Sequence, residues 1–200
     1  SRGLGDVYKR QGIFSHIPMT FKEGGKLEVN VSTIIERANG EILIGTSGHG
    51  IFLLNVTEGH IEAKQLPGFV PSYLINQIYE DRNGTLWIIT NDKGIYSIDT
   101  NQRMTHYPNG REIVWPSSIC EDKTGNIYVG CLKNGLFKYN PQTNGFTHIK
   151  CSSHPELPIK TLYNINQDEI YIGTDGNGMK VYNIQKGQIM ESPVNITSFN

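Results

Sequence analysis

Four stretches of this chain, residues 31–55, 75–99, 116–140 and 159–183, align with one another without a gap. An internal repeat constrains a fold more tightly than any single residue does, because every copy has to form the same structural unit. Equivalent slots hold Ile34, Ile78, Ile119 and Leu162, and further on Gly50, Gly94, Gly135 and Gly178, the glycines standing 44, 41 and 43 residues apart. Such a period, about 40–45 residues, is that of a propeller blade.

Within a copy the pattern reads strand, hairpin, strand. Residues 74–80 are followed by the polar turn Asp81-Arg82-Asn83-Gly84 and then by Thr85-Leu86-Trp87-Ile88-Ile89-Thr90. Asn-Gly supplies the positive φ angles of a tight turn; it recurs as Asn39-Gly40, with Thr124-Gly125 in the third copy. In the fourth copy Gln167-Asp168 stands there, and Asp168 is expected to take the left-handed conformation that Asp reaches more cheaply than most residues. A third strand begins at the repeated glycine (Gly135 to Asn140), and a fourth follows (Gly145 to Ile149).

The expectation is an all-β chain, a β-propeller segment of four-stranded antiparallel blades with no helix. It comprises about four complete blades, at 31–66, 74–108, 115–150 and 158–191, with one partial strand at each end. Residues 11–18 read as the last strand of a preceding blade, since Phe14-Ser15-His16-Ile17-Pro18 matches Met104-Thr105-His106-Tyr107-Pro108. Residues 194–200 match the first strand of a blade, and 1–10 read as a non-repeat leader or scar. A blade sharing only its first and last strands would leave unpaired edges, so the chain is expected to be a fragment of a larger propeller of about seven blades.

The second strand shows why the copies must stack. Ile42, Leu86, Ile127 and Ile170 point to one side, and Leu43, Trp87, Tyr128 and Tyr171 to the other, so both faces are apolar. Burial of such side chains is worth roughly 1.5–3 kcal/mol each, and neighbouring blades supply it.

Composition limits the function classes. The formal net charge is −1 and no block of like charge occurs, which argues against a nucleic-acid partner for this segment. Cys120, Cys131 and Cys151 are not paired with His or Cys at metal-ligand spacing, and Cys131 fills a slot that is Thr46, Thr90 and Thr174 elsewhere. A small buried side chain is the expectation there, with no metal and no cofactor.

Residues that recur belong to the architecture. His16, His106 and His148 occupy one slot of the fourth strand and read as packing residues; Glu36, Glu80 and Glu121 also recur. Asp81 and Asp122 sit one blade apart in equivalent turns, which suits Asx-type turn bonds and not paired acid–base catalysis. Asp175-Gly176-Asn177-Gly178 is similar to part of a calcium loop but lacks the later Glu.

Function is sought where copies differ. The links between second and third strands and the links between blades emerge on one face, which gathers His49, Asp92, Lys93, Lys133, Asn134, Asp175 and Asn177 with Phe69, Tyr73, Arg111, Glu112, Trp115, His154 and Glu156. The candidate ligand-binding residues are Trp115, Arg111, Tyr73, His49, Asp92, Lys133, Asp175 and Asn177, with no catalytic set. An aromatic platform beside planar polar groups suits carbohydrate, and Trp115 or Tyr73 with Arg111 supplies both. The competing reading of Trp115, just before Pro116, is a plug at the top of a blade interface.

The run Ile78-Tyr79-Glu80-Asp81-Arg82-Asn83-Gly84-Thr85-Leu86-Trp87-Ile88, followed by Lys93-Gly94-Ile95-Tyr96, resembles the two-component regulator propeller repeat. Gly45-Thr46, Gly130-Cys131 and Gly173-Thr174 keep its Gly-Thr step or a variant, whereas its tryptophan survives once, as Trp87. The resemblance implies the periplasmic sensor region of a hybrid two-component histidine kinase of gut Bacteroidetes, in which propellers and a β-domain precede a membrane helix, kinase, receiver and DNA-binding region. Many such sensors respond to oligosaccharides. It further implies an oligosaccharide or other small ligand, a neighbouring propeller or β-domain as partner, a membrane-anchored homodimeric parent, and phosphorelay activity only in that parent. The alternatives are a propeller enzyme (a sialidase-like hydrolase, a lyase or, more weakly, a quinone-dependent dehydrogenase) and a structural scaffold for protein contact.

Overall fold

The computed structural model describes residues 19–20, 29–57, 60–110, 113–151 and 155–192, and these contain strands, turns and links with no helix. The expected leader at 1–10 and the partial strands at 11–18 and 194–200 lie outside the described residues, as do Arg111, Glu112, His16 and His154. β1 is Met19–Thr20; β2 to β5 are Val31–Glu36, Ile42–Thr46, Gly50–Thr57 and His60–Gln65. β6 to β9 are Ile75–Glu80, Leu86–Thr90, Gly94–Ile98 and Met104–Pro108. β10 to β13 are Val114–Glu121, Ile127–Lys133, Gly135–Asn140 and Gly145–Ile149, and β14 to β17 are Ile159–Asn164, Glu169–Thr174, Met179–Asn183 and Gln188–Glu191.

The strands form four antiparallel meanders in sequence order, β2 to β5, β6 to β9, β10 to β13 and β14 to β17. Short polar turns between apolar runs favour this connection of nearest neighbours. The first sheet carries one addition that the repeat does not announce: β1 pairs in parallel with β5, Met19 opposite Ala63 and Thr20 opposite Lys64.

In the turns between first and second strands, Gly40, Gly84 and Gly125 take φ of 83°, 78° and 93°. There the Gly84 amide donates to the Asp81 carbonyl at 2.9 Å and the Gly125 amide to the Asp122 carbonyl at 3.1 Å. The fourth copy is built differently. Asp168 is not in the left-handed region; its amide donates to Asn166 Oδ1 at 2.8 Å, so a side-chain turn replaces the glycine turn.

Each sheet's first strand lies against its predecessor's first strands: β6 against β2 and β3, β10 against β6 and β7, β14 against β10 and β11. Ile78, Ile119 and Leu162 therefore point at the preceding sheet and are buried, whereas Ile34, in the same slot of the first sheet, is 63% exposed. The next slot faces forward; Tyr163, which holds it in the last sheet, is 67% exposed. Second-strand residues fill the space between, for instance Leu43 with Ile75, Ile78, Leu86 and Ile88, or Tyr128 with Leu157, Leu162 and Ile170. Side chains apolar on both faces are thus consumed by blade-to-blade packing.

The sheets are also stapled to one another by a repeated bond. Each first strand bulges at the second residue of its repeat, in the register breaks 31/33, 75/77, 116/118 and 159/161. The bulged residue reaches the next sheet: Ser32 Oγ donates to the Ile75 carbonyl at 2.6 Å, Asn76 Nδ2 to that of Pro116 at 3.1 Å, and Ser117 Oγ to that of Ile159 at 2.5 Å. At the turn end an arginine clasp does the same. Arg37 pairs with Glu80 at 3.1 Å, and Arg82 pairs with Glu121 while donating to the Lys123 and Asp122 carbonyls at 2.9 and 2.6 Å. Of the recurring glutamates, Glu80 and Glu121 are the acceptors of this clasp.

Candidate functional site

Because strand direction alternates, the turns joining first to second and third to fourth strands share one face, and the remaining links share the other. On the link face the threonine slot is a clamp. Thr46 Oγ1 donates to the Gly50 carbonyl at 2.8 Å and accepts the His49 amide at 3.1 Å; Thr90 and Thr174 repeat this with Gly94 and Lys93, and with Gly178 and Asn177. In the third copy Cys131 stands in this slot, fully buried, its thiol pushed up to about 12 by burial against a weaker pull from the Val114 backbone. Asn134 there takes φ of 80°.

Main-chain bonds tie the links to the segments that lead into first strands, from the first copy to the inter-blade residue Tyr73 and within one copy at Leu74 and Pro158. The Gly48 and Gly50 amides donate to the Tyr73 carbonyl at 2.8 and 3.0 Å, the Asn91 amide to the Leu74 carbonyl at 2.9 Å, and the Asp175 amide to the Pro158 carbonyl at 2.8 Å. Tyr73, 62% exposed, therefore sits beside the link that carries His49. Asp92 Oδ1 accepts the Ser72 hydroxyl at 2.6 Å. Asp175 is ion-paired with Lys160 at 3.0 Å, in the same copy as Asn177.

Trp115 and Lys133 are brought together, the Lys133 ammonium lying 5.7 Å from the indole centroid. Trp115 has φ of +54° and is 53% exposed, between buried Ile113 and buried Pro116. A plug at a blade interface would be covered, so that reading is corrected: the flanking residues enter the core and turn the indole outward. A bulky residue in the left-handed region costs roughly 1–2 kcal/mol, which the surrounding structure imposes. The candidate residues that are described thus form three link clusters, Tyr73 with Asp92 and His49, Trp115 with Lys133, and Asp175 with Asn177.

On the opposite face Asp81 and Asp122 make turn bonds, as their spacing predicts. Asp81 Oδ1 accepts the Asn83 and Thr85 amides, both at 2.9 Å, and Oδ2 accepts Trp87 Nε1 at 2.9 Å. Asp122 binds Thr124 and Asn126 likewise and accepts the Tyr128 hydroxyl at 3.1 Å. Burial raises the Asp122 carboxyl, but hydrogen bonds from Asn126 and Thr124 outweigh it and leave its pKa lowered. His106 stacks on Tyr96 at 4.3 Å and His148 packs on Phe137 at 4.9 Å, in keeping with a packing role.

A crevice of about 470 Å³ opens between the second and third sheets on this turn face. Trp87, Tyr107 and Tyr139 line it together with Ser97, Asn126 and Asn144. Sequence spacing does not gather these residues, since they come from four turns and two copies. One signal was present: Ser97 fills a slot that is Leu53, Lys138 and Val181 in the other copies. Among the described residues no group of three or more His, Cys, Asp or Glu is gathered for a metal ion.

Four-stranded antiparallel sheets, stacked flank to flank by their first strands, define a β-propeller segment. Residues 70–92 match the two component regulator propeller family, so the chain is a β-propeller segment bearing that family's repeat. No curated protein matches the chain. Among solved structures it is similar to the extracellular domain of the hybrid two component system protein BT4673 of B. thetaiotaomicron, at 22% identity and TM-score 0.73, over 92% of this chain and 26% of that one. The extracellular domain of BT3049 from the same organism matches at 18% identity and TM-score 0.62, over 85% and 25%. A catalytically inactive virginiamycin B lyase from Staphylococcus aureus matches at 15% identity and TM-score 0.65, over 84% and 57%. At these identities the likeness is one of fold. The chain spans about a quarter of the length of the two sensor structures.

Proposed function

We propose that this chain is the ligand-input segment of an extracellular or periplasmic two-component sensor, without catalysis of its own. Its link face engages an oligosaccharide or passes the consequences of its binding to an adjoining domain. The family match at 70–92 and the sensor ectodomains among the structural relatives support the coarse reading. The single observation behind the ligand reading is Trp115: an exposed indole on strained backbone, with an ammonium beside it, on the face where copies differ. An aromatic ring with an adjacent cation accommodates a sugar face and its polar edge.

The test is isothermal titration of the chain with xylo-, arabino-, manno- and galacto-oligosaccharides and with oligogalacturonates. At least one is expected to bind saturably, and Trp115→Ala is expected to weaken it by about tenfold or more. Heats indistinguishable from dilution for every probe, or binding indifferent to Trp115→Ala, would overturn the reading.

A further inference from the structure

We infer that the crevice between the second and third sheets is a second binding site, on the face opposite the links, that takes one neutral sugar ring. Its volume of about 470 Å³ lies within the roughly 300–1,000 Å³ of small-ligand pockets.

The repeat itself is altered there. Ser97, 7% exposed, replaces the leucine or valine of the first and fourth copies and leaves a hydroxyl 3.5 Å from that of Tyr107. Trp87 is the one tryptophan in its slot, where Leu43, Tyr128 and Tyr171 stand elsewhere. Asn144, at φ of 48°, holds two phenols through one atom, its Oδ1 accepting the Tyr107 and Tyr139 hydroxyls at 2.8 Å each. Ser97 itself is buried, where the first and fourth copies keep Leu53 and Val181, so a hydroxyl in that slot is a departure from what packing alone requires.

The charges of the lining are already engaged. The Asp81 carboxylate receives three N–H donors, and Arg103 is paired with Asp99 at 3.2 Å. The Asn126 amide hydrogens are spent on Asp122 and Thr124, so what remains for a ligand is aromatic edge, the Asn126 carbonyl oxygen, the Asn144 amide N–H groups and the lone pairs of the Tyr139 hydroxyl. Rings of that kind, rimmed by uncharged donors and acceptors, match a polyhydroxylated ring with apolar C–H faces and match neither an anion nor a flat hydrophobe.

The experiment is a ¹H–¹⁵N correlation titration of the chain with methyl glycosides of glucose, galactose, mannose, xylose and arabinose, up to concentrations on the order of 100 mM, the range of weak single-ring binding. Saturable shifts are expected at Trp87 Nε1, Asn126 and Asn144 with at least one probe. Ser97→Leu, which restores the residue of the first copy, and Asn144→Gly, which keeps the left-handed backbone, should each weaken it by about tenfold. Trp115→Ala should leave it unchanged, which separates this site from the link face. Absence of saturable shifts for all five probes, shifts indifferent to both variants, or shifts abolished by Trp115→Ala would overturn the inference.

Discussion

The hydroxyl of Ser32 donates to the main-chain carbonyl of Ile75 at 2.6 Å, joining residues 43 apart in the chain. Ser117 and Ile159 repeat the contact one interface further on, after the Asn76–Pro116 pair. The bulge that frees the second residue of each repeat is therefore a device for inter-blade register. In the fourth copy that residue is Lys160, exposed and, among the described residues, paired across its own link with Asp175. Ser32→Ala and Ser117→Ala should each lower stability by about 1 kcal/mol, and Lys160→Ala by less than about 0.5 kcal/mol. Urea unfolding midpoints measure the three; a Ser117 variant as mild as the Lys160 one would show that the bond contributes nothing.

Gly94 and Gly178 fill the same slot with φ of +96° and +66°, yet their surroundings differ. A Cβ at Gly94 would lie 2.3 Å from the Tyr107 carbonyl oxygen and 2.7 Å from the Asn109 amide, whereas nothing lies within 4 Å at Gly178. Gly178→Ala thus meets only backbone strain, about 1–2 kcal/mol, while Gly94→Ala must also displace a main-chain strand and should cost about 4 kcal/mol or more. Thermal melts of the two variants decide it, and equal shifts would contradict the geometry.

The Arg82 guanidinium meets Glu121 and two carbonyls of the next turn at once. An ammonium cannot fork in this way. Arg82→Lys is expected to lose about 1–2 kcal/mol, although it retains the charge. Denaturant titration at low and at high salt reads the effect; a loss that vanishes in high salt would assign it to charge alone.

Cys120 and Cys131 are pushed up to about 12 from 9.0, in both cases by burial first, with the Asp122 charge adding to the rise at Cys120. The folded state thus holds these thiols protonated where the unfolded chain ionises them. Their contribution to stability is complete below pH 9 and is lost as pH rises from 9 towards 12. Asp122 has the opposite sense: its lowered pKa gives a contribution present above about 3.8, lost as pH falls below that value. Unfolding free energies between pH 8 and 11 should fall less steeply for the Cys120→Ala, Cys131→Ala double variant than for the parent chain. At pH 8 a disulfide reagent should label both thiols only at the rate of unfolding.

Trp115→Gly removes the positive-φ strain together with the indole. Stability should be unchanged or higher, by up to about 1 kcal/mol, while any binding at the link face is lost. A destabilised variant would return Trp115 to a packing role.

The hairpins and the double-faced second strands were legible because turn chemistry and strand alternation act within one copy. Asn83-Gly84 forces a turn wherever it stands, and Leu86-Trp87 alternates whatever lies beyond. Asp168 shows the limit of that reading. Its type permits the left-handed region, but the carboxamide of Asn166 two residues earlier offers a cheaper turn. That the variable links share one face follows from strand alternation alone.

By itself, then, the sequence determined that this is a repeated all-β chain, which strands pair, and which side chains each blade turns to its neighbours, since period and turn chemistry act over a few residues. Only the tertiary structure decided that Trp115 faces outward beside Lys133, that Ser32, Asn76 and Ser117 bond across interfaces, and that Ser97, Tyr107 and Asn144 meet around a crevice. Those outcomes depend on how sheets some forty residues apart approach one another, a distance over which no local preference carries information.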